Sequence, residues 1–393
     1  MADTTDYTKM TLSLKVRKVL RYGRIYGPGR TWIKIRGKYH LKNRKIMPKL
    51  SGSVSSGSVG IIGCGDFAYT TIAYFLYKKY GPVIRGVTDI DPARASSLCR
   101  AYRVGYYTET AEELINDPAI KIIYIASNHA SHANYAVKCL EAGKSVHIEK
   151  PHVVNEDQLK LLCEAMSNFP GKVFLGFNRP KSQFGRAIKD ALQSQSGPSV
   201  MNWFMVGQPI APDHWYCGSE EGGRVLGNLC HWTDFVCQMV EPERRYPILI
   251  NPTRHVRPDC DIAVTFVFSD GSIAAITFSS LGEVFEGVRE IFSAQRGDIL
   301  VFMRSFELLE IEHGHNKQRW KPWFRDHGHE HNILSSYEKT MNPSQPGEDL
   351  SYVFETAELF LKTREALEKN QQVEVYGFRK SIESARVTFL AKN

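Results

Sequence analysis

A glycine-rich turn between an apolar strand and a helix constrains this chain more than any other feature. The apolar run 59–62 is followed by Gly63, Gly65 and Ala68 in a Gly-x-Gly-x-x-Ala pattern. Gly63 permits a tight turn, Gly65 lets the backbone approach a pyrophosphate, and small Ala68 lets the helix pack closely on the strand. Strand, turn and helix in this order predict a dinucleotide-binding unit.

Two further parts of that unit are predicted to bind the dinucleotide. The N–H groups at the helix start, at Asp66 and Phe67, are available to phosphate oxygens. Asp89 ends the next apolar strand, where a carboxylate accepts hydrogen bonds from the adenosine ribose hydroxyls and repels a 2′-phosphate. This position favours NAD over NADP, with Asp91 and Arg94 close enough to affect the choice. The alternative role for Asp89 is to cap the following turn.

Length and cysteine usage indicate a soluble two-domain protein. The 393 residues are enough for two hydrophobic cores, and no apolar run reaches the length that spans a membrane. The start of the chain carries Asp3 and Asp6 and has no apolar core, so we expect no secretory signal. The eight cysteines are scattered without a Cys-x-x-Cys pair, which is typical of reduced thiols and predicts a cytoplasmic location.

The positive charge of the chain is concentrated in residues 1–57. This segment holds fourteen Lys/Arg and two acids, whereas the remainder holds 36 basic and 40 acidic residues. We predict a basic helix over 10–26, a strand over 31–41 and a flexible linker over 51–58. The extension either packs on its own or a neighbouring subunit, or is attracted to an anionic membrane surface or acidic polymer. No module for nucleic acid recognition accompanies the charge, so we predict no nucleic acid partner.

The pattern after residue 57 predicts an α/β fold in two parts. Residues 58–178 alternate strands and helices, which is typical of a doubly wound parallel sheet, the Rossmann arrangement. We predict strands near 59–63, 83–88, 122–126, 145–148 and 172–177, and helices near 66–79, 92–102, 110–116, 131–142 and 155–168.

Residues 179–393 predict an α+β domain with a mostly antiparallel open sheet. Ser269-Asp270-Gly271-Ser272 separates two alternating apolar runs and indicates a hairpin. We predict strands at 200–206, 262–268, 273–278, 288–295 and 299–310, and helices at 183–193, 227–240 and 348–369.

A second motif lies at the end of the strand 145–148. Glu149, Lys150 and Pro151 follow this strand, at the edge of the sheet where doubly wound folds bind ligands. Together with the glycine turn and a downstream Gly222-Gly223…His231-x-x-Asp234 pattern, this triplet resembles the Gfo/Idh/MocA oxidoreductases. The resemblance covers about residues 58–370. Residues 171–236 are most similar to a subgroup associated with polysaccharide biosynthesis.

The resemblance implies roles for the residues of these motifs. Lys150 would lie beside the nicotinamide ring of the cofactor and the reacting carbon, and its ammonium would stabilise developing oxygen charge. Glu149 would orient the loop, and Pro151 is a candidate for a cis peptide bond. His231 would accept a hydroxyl proton, and Asp234 would either orient the imidazole or pack the helix.

The chain departs from the family at one position. Many members place an aspartate four residues before this histidine, where it contacts substrate or assists proton transfer. The corresponding residue here is Gly227, followed by Asn228 as a possible neutral partner. This difference leaves three alternatives. The substrate is bound differently from the family pattern, proton transfer relies on fewer groups, or the activity is lost.

Two further segments are candidates for the substrate. Asn178 and Arg179 follow a buried strand at the predicted domain junction, and an arginine binds carboxylate or phosphate in bidentate fashion. His214 and Trp215 precede the glycine pair, and their aromatic rings would stack on a sugar or pack the loop.

The turn after strand 122–126 is the remaining cofactor candidate. The resemblance implies contacts of this turn with the cofactor's ribose and phosphates, from Ser127, Asn128 and His132, the last equally suited to start a helix. Histidine clusters at 313–315 and 327–331 lack accompanying acids or cysteines, so we predict no metal site there.

The resemblance implies an NAD-dependent oxidoreductase that transfers hydride between nicotinamide and a secondary alcohol or ketone of a sugar or sugar-nucleotide. It also implies a homodimer or homotetramer built through the open sheet. The alternative is a catalytically weak cofactor-binding protein with a regulatory or assembly role, recruited through its basic extension.

Overall fold

The computed structural model describes residues 11–42, 45–46, 56–211, 214–253, 261–282, 285 and 287–378. Met10, with which the predicted basic helix begins, and linker residues 51–55 lie outside this part of the chain. The expected α/β class, a parallel sheet followed by a mostly antiparallel one, is confirmed.

The basic extension forms one long kinked helix, α1 (Leu12–Lys42). The predicted strand over 31–41 is wrong, because these residues are helical. Their apolar-polar alternation resembles a strand, but Ile33 and Gly37 are spaced by four and share the buried face of a helix. The kink lies at Gly27, whose φ of 81° is in the region that glycine adopts readily, and Pro28 follows as the first residue of the second helical segment.

Helix α1 packs on its own subunit, which is one of the alternatives that the sequence left open for the extension. His40 stacks on Tyr69 with ring centroids 4.1 Å apart, and its Nε2 faces Cys64 O at 2.7 Å. Near the middle of the helix, beside the kink, the N–H of Arg325 donates to Ile25 O at 2.7 Å. The helix is therefore attached to the folded part of the chain near its kink and near its C-terminal end.

The first sheet contains six parallel strands in the order β3-β2-β1-β4-β5-β6. Its strands are β1 (Val59–Ile62), β2 (Ile84–Thr88), β3 (Tyr106–Thr108), β4 (Ile122–Ile125), β5 (Ser145–Ile148) and β6 (Val173–Leu175). The helices between them are α2 (Ala73–Tyr80), α3 (Pro92–Tyr102), α4 (Ala111–Ile115), α5 (His132–Glu141) and α6 (Glu156–Asn168). Every residue of β1, β4 and β5 is buried, as expected for parallel strands covered on both faces.

The second sheet contains nine strands in the order β14-β13-β12-β11-β7-β10-β9-β8-β15. They are β7 (Ser199–Val206), β8 (Ile248–Thr253), β9 (Ile262–Val267), β10 (Ile273–Ser279), β11 (Arg289–Arg296), β12 (Ile299–Arg304), β13 (Leu308–His313), β14 (Asn316–Trp320) and β15 (Val373–Val375). Strands β7 and β10 run parallel, and the other neighbouring pairs are antiparallel.

Among the described residues, α7 (Gln183–Gln193), α8 (Cys230–Met239) and α10 (Leu350–Lys369) belong to this part of the fold, and α9 (His329–Met341) follows the sheet in sequence. Short π-helical segments precede two helices of the fold, Ala68–Ile72 before α2 and Val225–Leu229 before α8. Strand β7 alternates buried and exposed residues, so one face of the sheet packs on helices and the other faces solvent.

Helix α9 was not predicted, and it connects the two parts of the fold. It follows the second sheet in sequence, but its Ile333 and Leu334 belong to the hydrophobic core of the parallel sheet. Tyr124 Oη in β4 donates to Ile333 O at 2.7 Å. The domain limits at 57 and 178 stay a prediction, and α9 shows that the later segment also supports the first sheet.

No helix within the described part of the chain is both long and apolar enough to cross a bilayer. The seven cysteines that the structure describes are free thiols, of which Cys217 is exposed.

The docking of α1 generates a test with an internal control. A Cβ at Gly37 would overlap Thr70 Cγ2 and lie 2.7 Å from Asp66 Oδ1, whereas a Cβ at Gly23 would meet no heavy atom within 4 Å. We expect Gly37→Ala to destabilise the docked helix by about 1–3 kcal/mol and Gly23→Ala to stabilise it by about 0.5–1 kcal/mol. Hydrogen exchange of the α1 amides measures both; equal protection in the two variants would show that α1 is not packed as described.

Candidate active site

The glycine turn has the geometry that the sequence predicts. Gly63 has a φ of 89°, and a Cβ there would lie 2.6 Å from Ser127 N, so the turn requires glycine. Above Gly65 a Cβ would meet no heavy atom within 4 Å, which leaves space for a bound group. This combination of a tight turn and an open backbone fits a dinucleotide pyrophosphate.

Asp89 holds the glycine turn to the end of β2. Its Oδ2 accepts from the N–H of Cys64 at 2.6 Å, and its Oδ1 accepts from the N–H of Asp91 at 2.8 Å. Each carboxylate oxygen retains a second lone pair. Asp89 therefore caps the turn, as the structural alternative suggested, and still has acceptor capacity for ribose hydroxyls.

The turn after β4 is tied to the second domain by Glu221, a residue that the sequence analysis missed. Its carboxylate accepts from Asn128 Nδ2 at 2.7 Å and from the N–H of Ala130 at 3.2 Å. Asn128 is therefore engaged by protein, and Ser127 pairs its hydroxyl with that of Ser131 at 2.7 Å. Glu221 is one residue before Gly222-Gly223, but no spacing rule indicates its partner.

His132 joins two loops of the site. It begins α5 and is buried, with Nδ1 2.8 Å from Pro151 O and Nε2 3.2 Å from Ser127 O. Burial lowers the pKa of its imidazole. His132 thus positions the Glu149-Lys150-Pro151 turn, in which the Lys150–Pro151 peptide bond is cis.

Lys150 reaches across the cleft to the second domain. Its Nζ donates to Gly227 O at 2.6 Å, and burial lowers the pKa of its ammonium. Glu149 is buried, with Oε1 3.4 Å from His147 Nε2, which fits the loop-orienting role expected for it. The cation of the triplet is thus held at the domain junction.

Gly227 leaves no room for the aspartate that the family pattern places there. A Cβ at this position would overlap Tyr216 Oη and Cζ and would lie 2.7 Å from His129 Cε1. Tyr216 Oη donates to Asn228 Oδ1 at 2.7 Å, and the tyrosine ring packs edge-on against His129 at 5.1 Å. A phenol and a neutral amide therefore occupy the space of the missing acid.

His231 lies on the first turn of α8 and faces the cleft. It is 8% exposed, and within the described residues its buried Nδ1 has no hydrogen-bond partner. Burial is the main cause that lowers the pKa of His231 well below its usual value, and the charges of Arg179 and Lys150 lower it further. The imidazole is therefore neutral at physiological pH and can accept a proton.

Arg179 is fixed by a buried acid, Glu290. Arg179 Nε donates to Glu290 Oε1 at 2.6 Å, as does Trp232 Nε1 at 2.9 Å, and the guanidinium stacks on the Trp232 ring. Burial would raise the pKa of Glu290, but Arg179 and His327 outweigh it and lower this pKa to about 2. Glu290 was detectable in principle, because it is an acid on the inward-facing side of strand β11.

Two other predicted substrate residues, Asn178 and Asp234, hydrogen-bond to groups of the protein. Asn178 Nδ2 donates to His327 O at 2.6 Å. Asp234 accepts from Tyr352 Oη at 2.8 Å and from Thr356 at 3.1 Å, so its carboxylate faces α10 rather than His231. Burial raises the pKa of Asp234 to about 6. We therefore assign Asp234 to packing and leave it out of the proposed site.

His214 and Trp215 lie at the surface near the cleft. His214 is exposed and its Nδ1 accepts from the N–H of Tyr216 at 3.3 Å, while Trp215 is 51% exposed and packs edge-on against His129. Their neighbour Asp213 lies outside the described residues.

A cavity of about 470 Å³ extends from Asp66 and Phe67, directly after the glycine turn, to His231. One wall is α1, and the opposite walls come from the helical segment after the glycine turn and from the second domain. The walls other than α1 are formed by Asp66, Phe67, Thr71, Arg179, Gln208, His231, Gly287, Val288, Glu290, His327 and His329. The described residues contain no group of three or more His, Cys, Asp or Glu side chains suited to hold a metal ion.

The fold and this site define a class: a two-domain protein with a Rossmann dinucleotide-binding sheet facing an open, mostly antiparallel sheet. Residues 58–177 match the sequence profile of the Gfo/Idh/MocA family, described as an oxidoreductase family with an NAD-binding Rossmann fold. The resemblance to the Gfo/Idh/MocA oxidoreductases that the motifs indicate is thus confirmed over residues 58–177.

Curated relatives are similar over part of their length. Oxidoreductase P35 of Formosa agariphila is 31% identical over 135 residues, which cover 34% of this chain and 42% of the relative. Inositol 2-dehydrogenase of Ralstonia nicotianae is 27% identical over 138 residues, which cover 35% of this chain and 41% of the relative. The chain thus spans about two fifths of the length of these relatives.

The solved structures extend the likeness to both domains. Levoglucosan dehydrogenase in complex with NADH and levoglucosan has a TM-score of 0.70 and 15% identity, covering 81% of this chain and 98% of that one. At this identity the likeness establishes the fold.

The packing around Gly227 predicts how the family's acid would be tolerated. We expect Gly227→Asp to lower the free energy of unfolding by about 1–3 kcal/mol, because the new side chain overlaps Tyr216. In a Tyr216→Ala background the same substitution is expected to cost less, since the phenol is gone. Urea unfolding of wild type, the two single variants and the double variant measures this coupling. An equal loss of unfolding free energy from Gly227→Asp in both backgrounds would exclude the overlap.

Proposed function

We propose that this protein is an NAD-dependent oxidoreductase that acts on a secondary alcohol or ketone of a sugar or sugar-nucleotide. The observation that carries the proposal is that Lys150, at the end of β5, lies close enough to the buried, neutral His231 of α8 for its charge to lower the pKa of that imidazole. An ammonium and an unprotonated imidazole from separate domains are suited to polarise an oxygen and to take up its proton.

The cofactor contacts follow from the glycine turn. The N–H groups of Asp66 and Phe67 would hold the pyrophosphate, and Asp89 would accept from the adenosine ribose, which favours NAD over NADP. When bound, NAD supplies the hydride acceptor of the reaction. His132 and Glu149 would not touch the cofactor themselves; they would position the loops that contact it.

The protein's own groups then handle the oxygen and its proton. Lys150 Nζ, whose partner is Gly227 O, would donate a further hydrogen bond to the substrate oxygen. His231 would accept the hydroxyl proton during oxidation and return it during reduction. Asn228 and Tyr216 replace the family's aspartate with neutral groups, so that no carboxylate lies beside Lys150 at this position.

The names of similar proteins support a polyhydroxylated substrate. Relatives at 27–31% identity are named inositol 2-dehydrogenases, and a structural neighbour carries NADH and levoglucosan. For this chain, a sugar-type substrate and a place in polysaccharide biosynthesis are part of the proposal.

A second function is favoured by one observation. Because Gly227 replaces an acid that assists proton transfer in the family, the chain is also suited to bind NAD without turnover, as a regulatory or assembly protein. The two functions differ in whether nicotinamide is reduced.

The first test is turnover in a panel of sugars and sugar-nucleotides. We expect wild-type protein to reduce NAD, and Lys150→Ala and His231→Asn each to lower kcat by about 100- to 10,000-fold with NADH affinity retained. Exposed residues supply the matched controls, Lys160→Ala and His315→Asn. Full activity in both active-site variants would disprove the assignment, and NADH binding without turnover across the panel would favour the regulatory alternative.

The open face of the second sheet supports a homo-oligomer. Its exposed apolar residues are Val200, Phe204, Ile273, Ile291, Leu300 and Phe302. Strand register places Phe204 beside Ile291 and Val200 beside Ile273, so the side chains form one patch. Contiguous apolar surface of this kind marks association sites, and we propose that two copies pair through it in the cytoplasm.

A charged residue introduced on this face of the second sheet is expected to separate the two subunits. Phe204→Glu should convert the oligomer to monomer, because pairing would bury an uncompensated carboxylate. Leu161→Glu is the control, since Leu161 on α6 has the same exposed fraction of 49%. Native mass spectrometry counts the subunits, and an unchanged oligomer in the Phe204 variant would place the interface elsewhere.

A further inference from the structure

The kink of α1 brings a tyrosine of the extension into the cavity that holds His231. Tyr26 directly precedes the kink residue Gly27, and both Tyr26 and His231 line the cavity. The extension lies outside residues 58–177, which match the family profile. A segment without a counterpart in that profile therefore contributes to the wall of the candidate active site.

The backbone on either side of Tyr26 is fixed to the second domain. Ile25 O accepts from the N–H of Arg325 at 2.7 Å. A Cβ at Gly27 would lie 3.1 Å from the ring of Phe324, so the kink packs closely on this part of the second domain. These two contacts fix the place from which the tyrosine side chain enters the cavity.

Arg325 also fixes the side chain of Tyr26. Its Nη1 donates to Tyr26 Oη at 3.1 Å, and its guanidinium carbon lies 5.4 Å from the centre of the tyrosine ring. Because a guanidinium carries only donors, the phenol oxygen accepts in this hydrogen bond and keeps its own proton for donation. No acceptor for that proton is present among the residues that the structure describes. Burial raises the pKa of Tyr26 more than Arg325 lowers it, so the hydroxyl stays protonated at neutral pH.

Tyr26 lies beside a cluster of polar side chains that includes the candidate proton acceptor. The ring of Tyr26 is 6.5 Å from that of His327, whose Nε2 is 3.5 Å from Glu290 Oε2. The other carboxylate oxygen of Glu290 holds Arg179 at 2.6 Å. Burial lowers the pKa of His231, and the nearby charge of Arg179 lowers it further. A chain of short contacts thus connects the tyrosine to the region of His231.

Arg179 presents its remaining donors to the same cavity. Its Nε donates to Glu290, whereas its two Nη groups have no hydrogen-bond partner in the described part of the chain. The ion pair with Glu290 compensates the charge of the guanidinium, which lies over the ring of Trp232. Arg179 and Tyr26 therefore offer N–H and O–H donors without an unpaired charge. Donors of this kind suit the hydroxyl groups of a sugar.

The acceptors of this region are imidazoles. His231 Nδ1 is buried and has no partner among the described residues. Burial is the main cause that lowers the pKa of His327 and His329, so both are neutral near pH 7. The turn between these two histidines requires glycine, because Gly328 has a φ of 85° and a Cβ there would lie 2.6 Å from Ser182 N. Donors and acceptors from separate segments thus converge on one cavity, as in a binding site for a polar small molecule.

We propose that Tyr26 is a specificity-determining residue that donates a hydrogen bond to a hydroxyl of the substrate other than the one that reacts. The proposal rests on the proposed function, since it concerns the substrate of the same site. The N-terminal extension would then complete the substrate pocket, and the tyrosine ring would pack against the apolar face of the sugar.

The alternative role for Tyr26 is to hold the kink of α1 against Arg325. That role uses the ring and the phenol oxygen as an acceptor, and it leaves the hydroxyl proton without a function. The two roles differ in one measurable property. A substrate contact depends on a particular hydroxyl of the ligand, whereas a packing role affects every ligand alike.

The test compares wild type with Tyr26→Phe in the full chain. This substitution keeps the ring and removes the hydroxyl. Tyr39→Phe is the matched control, because Tyr39 lies on the same helix and is 70% exposed. Each protein, saturated with NADH, is titrated with glucose, myo-inositol and levoglucosan by calorimetry. We expect Tyr26→Phe to weaken the binding of the tightest of these ligands by about 2- to 10-fold, with NADH affinity and the control unchanged.

Monodeoxy analogues of that ligand identify the contact. One analogue should bind wild type more weakly by about the same factor and should bind wild type and Tyr26→Phe equally, because the hydroxyl that Tyr26 contacts is missing from it. A loss in Tyr26→Phe that is the same for every analogue would assign the residue to packing and overturn the proposal. Equal affinity of wild type and Tyr26→Phe for the parent ligand would also overturn it.

Two results on wild type alone would overturn the proposal even if Tyr26→Phe loosens α1. One is that none of the three ligands binds, and the other is that every monodeoxy analogue binds as tightly as its parent. Hydrogen exchange of the α1 amides shows whether the helix stays docked in the variant.

The proposed function fails by a different readout. Absence of NAD reduction with every sugar would disprove the oxidoreductase, whereas the affinities for the ligands and their analogues would still be measurable. Conversely, NAD reduction with a Tyr26→Phe variant that binds every ligand like wild type would support the oxidoreductase and remove the role of Tyr26.

Discussion

The hydrogen bond from Lys150 Nζ to Gly227 O, at 2.6 Å, is the contact on which the organisation of the site depends. It connects the end of a parallel strand to the π-helical turn that precedes α8, and so fixes where the two domains meet. With Tyr216 packed in the space that a Cβ would fill, backbone and phenol together take the place of an acidic side chain.

The parallel sheet could be predicted from sequence because its signals are local. Strands β1, β2, β4 and β5 are apolar runs bounded by turns, and α3 and α7 begin and end where predicted. Helix α6 has the expected Asn155 cap, whose Oδ1 accepts from the N–H of Gln158 at 2.9 Å. The family motifs predict that Lys150 and His231 act together; in the structure His231 lines the cavity and Lys150 donates to Gly227 O, and their roles stay a prediction.

The rest could not be predicted, because it depends on contacts between distant segments. Strand β3 and helix α9 carry weak periodicity and are stabilised by packing; Ile333 of α9, for example, is buried against the first sheet. Residues 31–41 satisfy both a two-residue and a four-residue period, and docking on Tyr69 and Thr70 selects the helix. The roles of Glu221 and Glu290 follow from partners that are distant in sequence, Asn128 at 93 residues and Arg179 at 111 residues.

The kinked extension takes part in both the cleft and the first core. Helix α1 supplies a wall of the cavity, and its Ile33 is buried in the hydrophobic core of the parallel sheet. Removing α1 would therefore open the cleft to bulk water on one side and expose part of that core. Closure of the cleft is thus coupled to the stability of the dinucleotide-binding sheet.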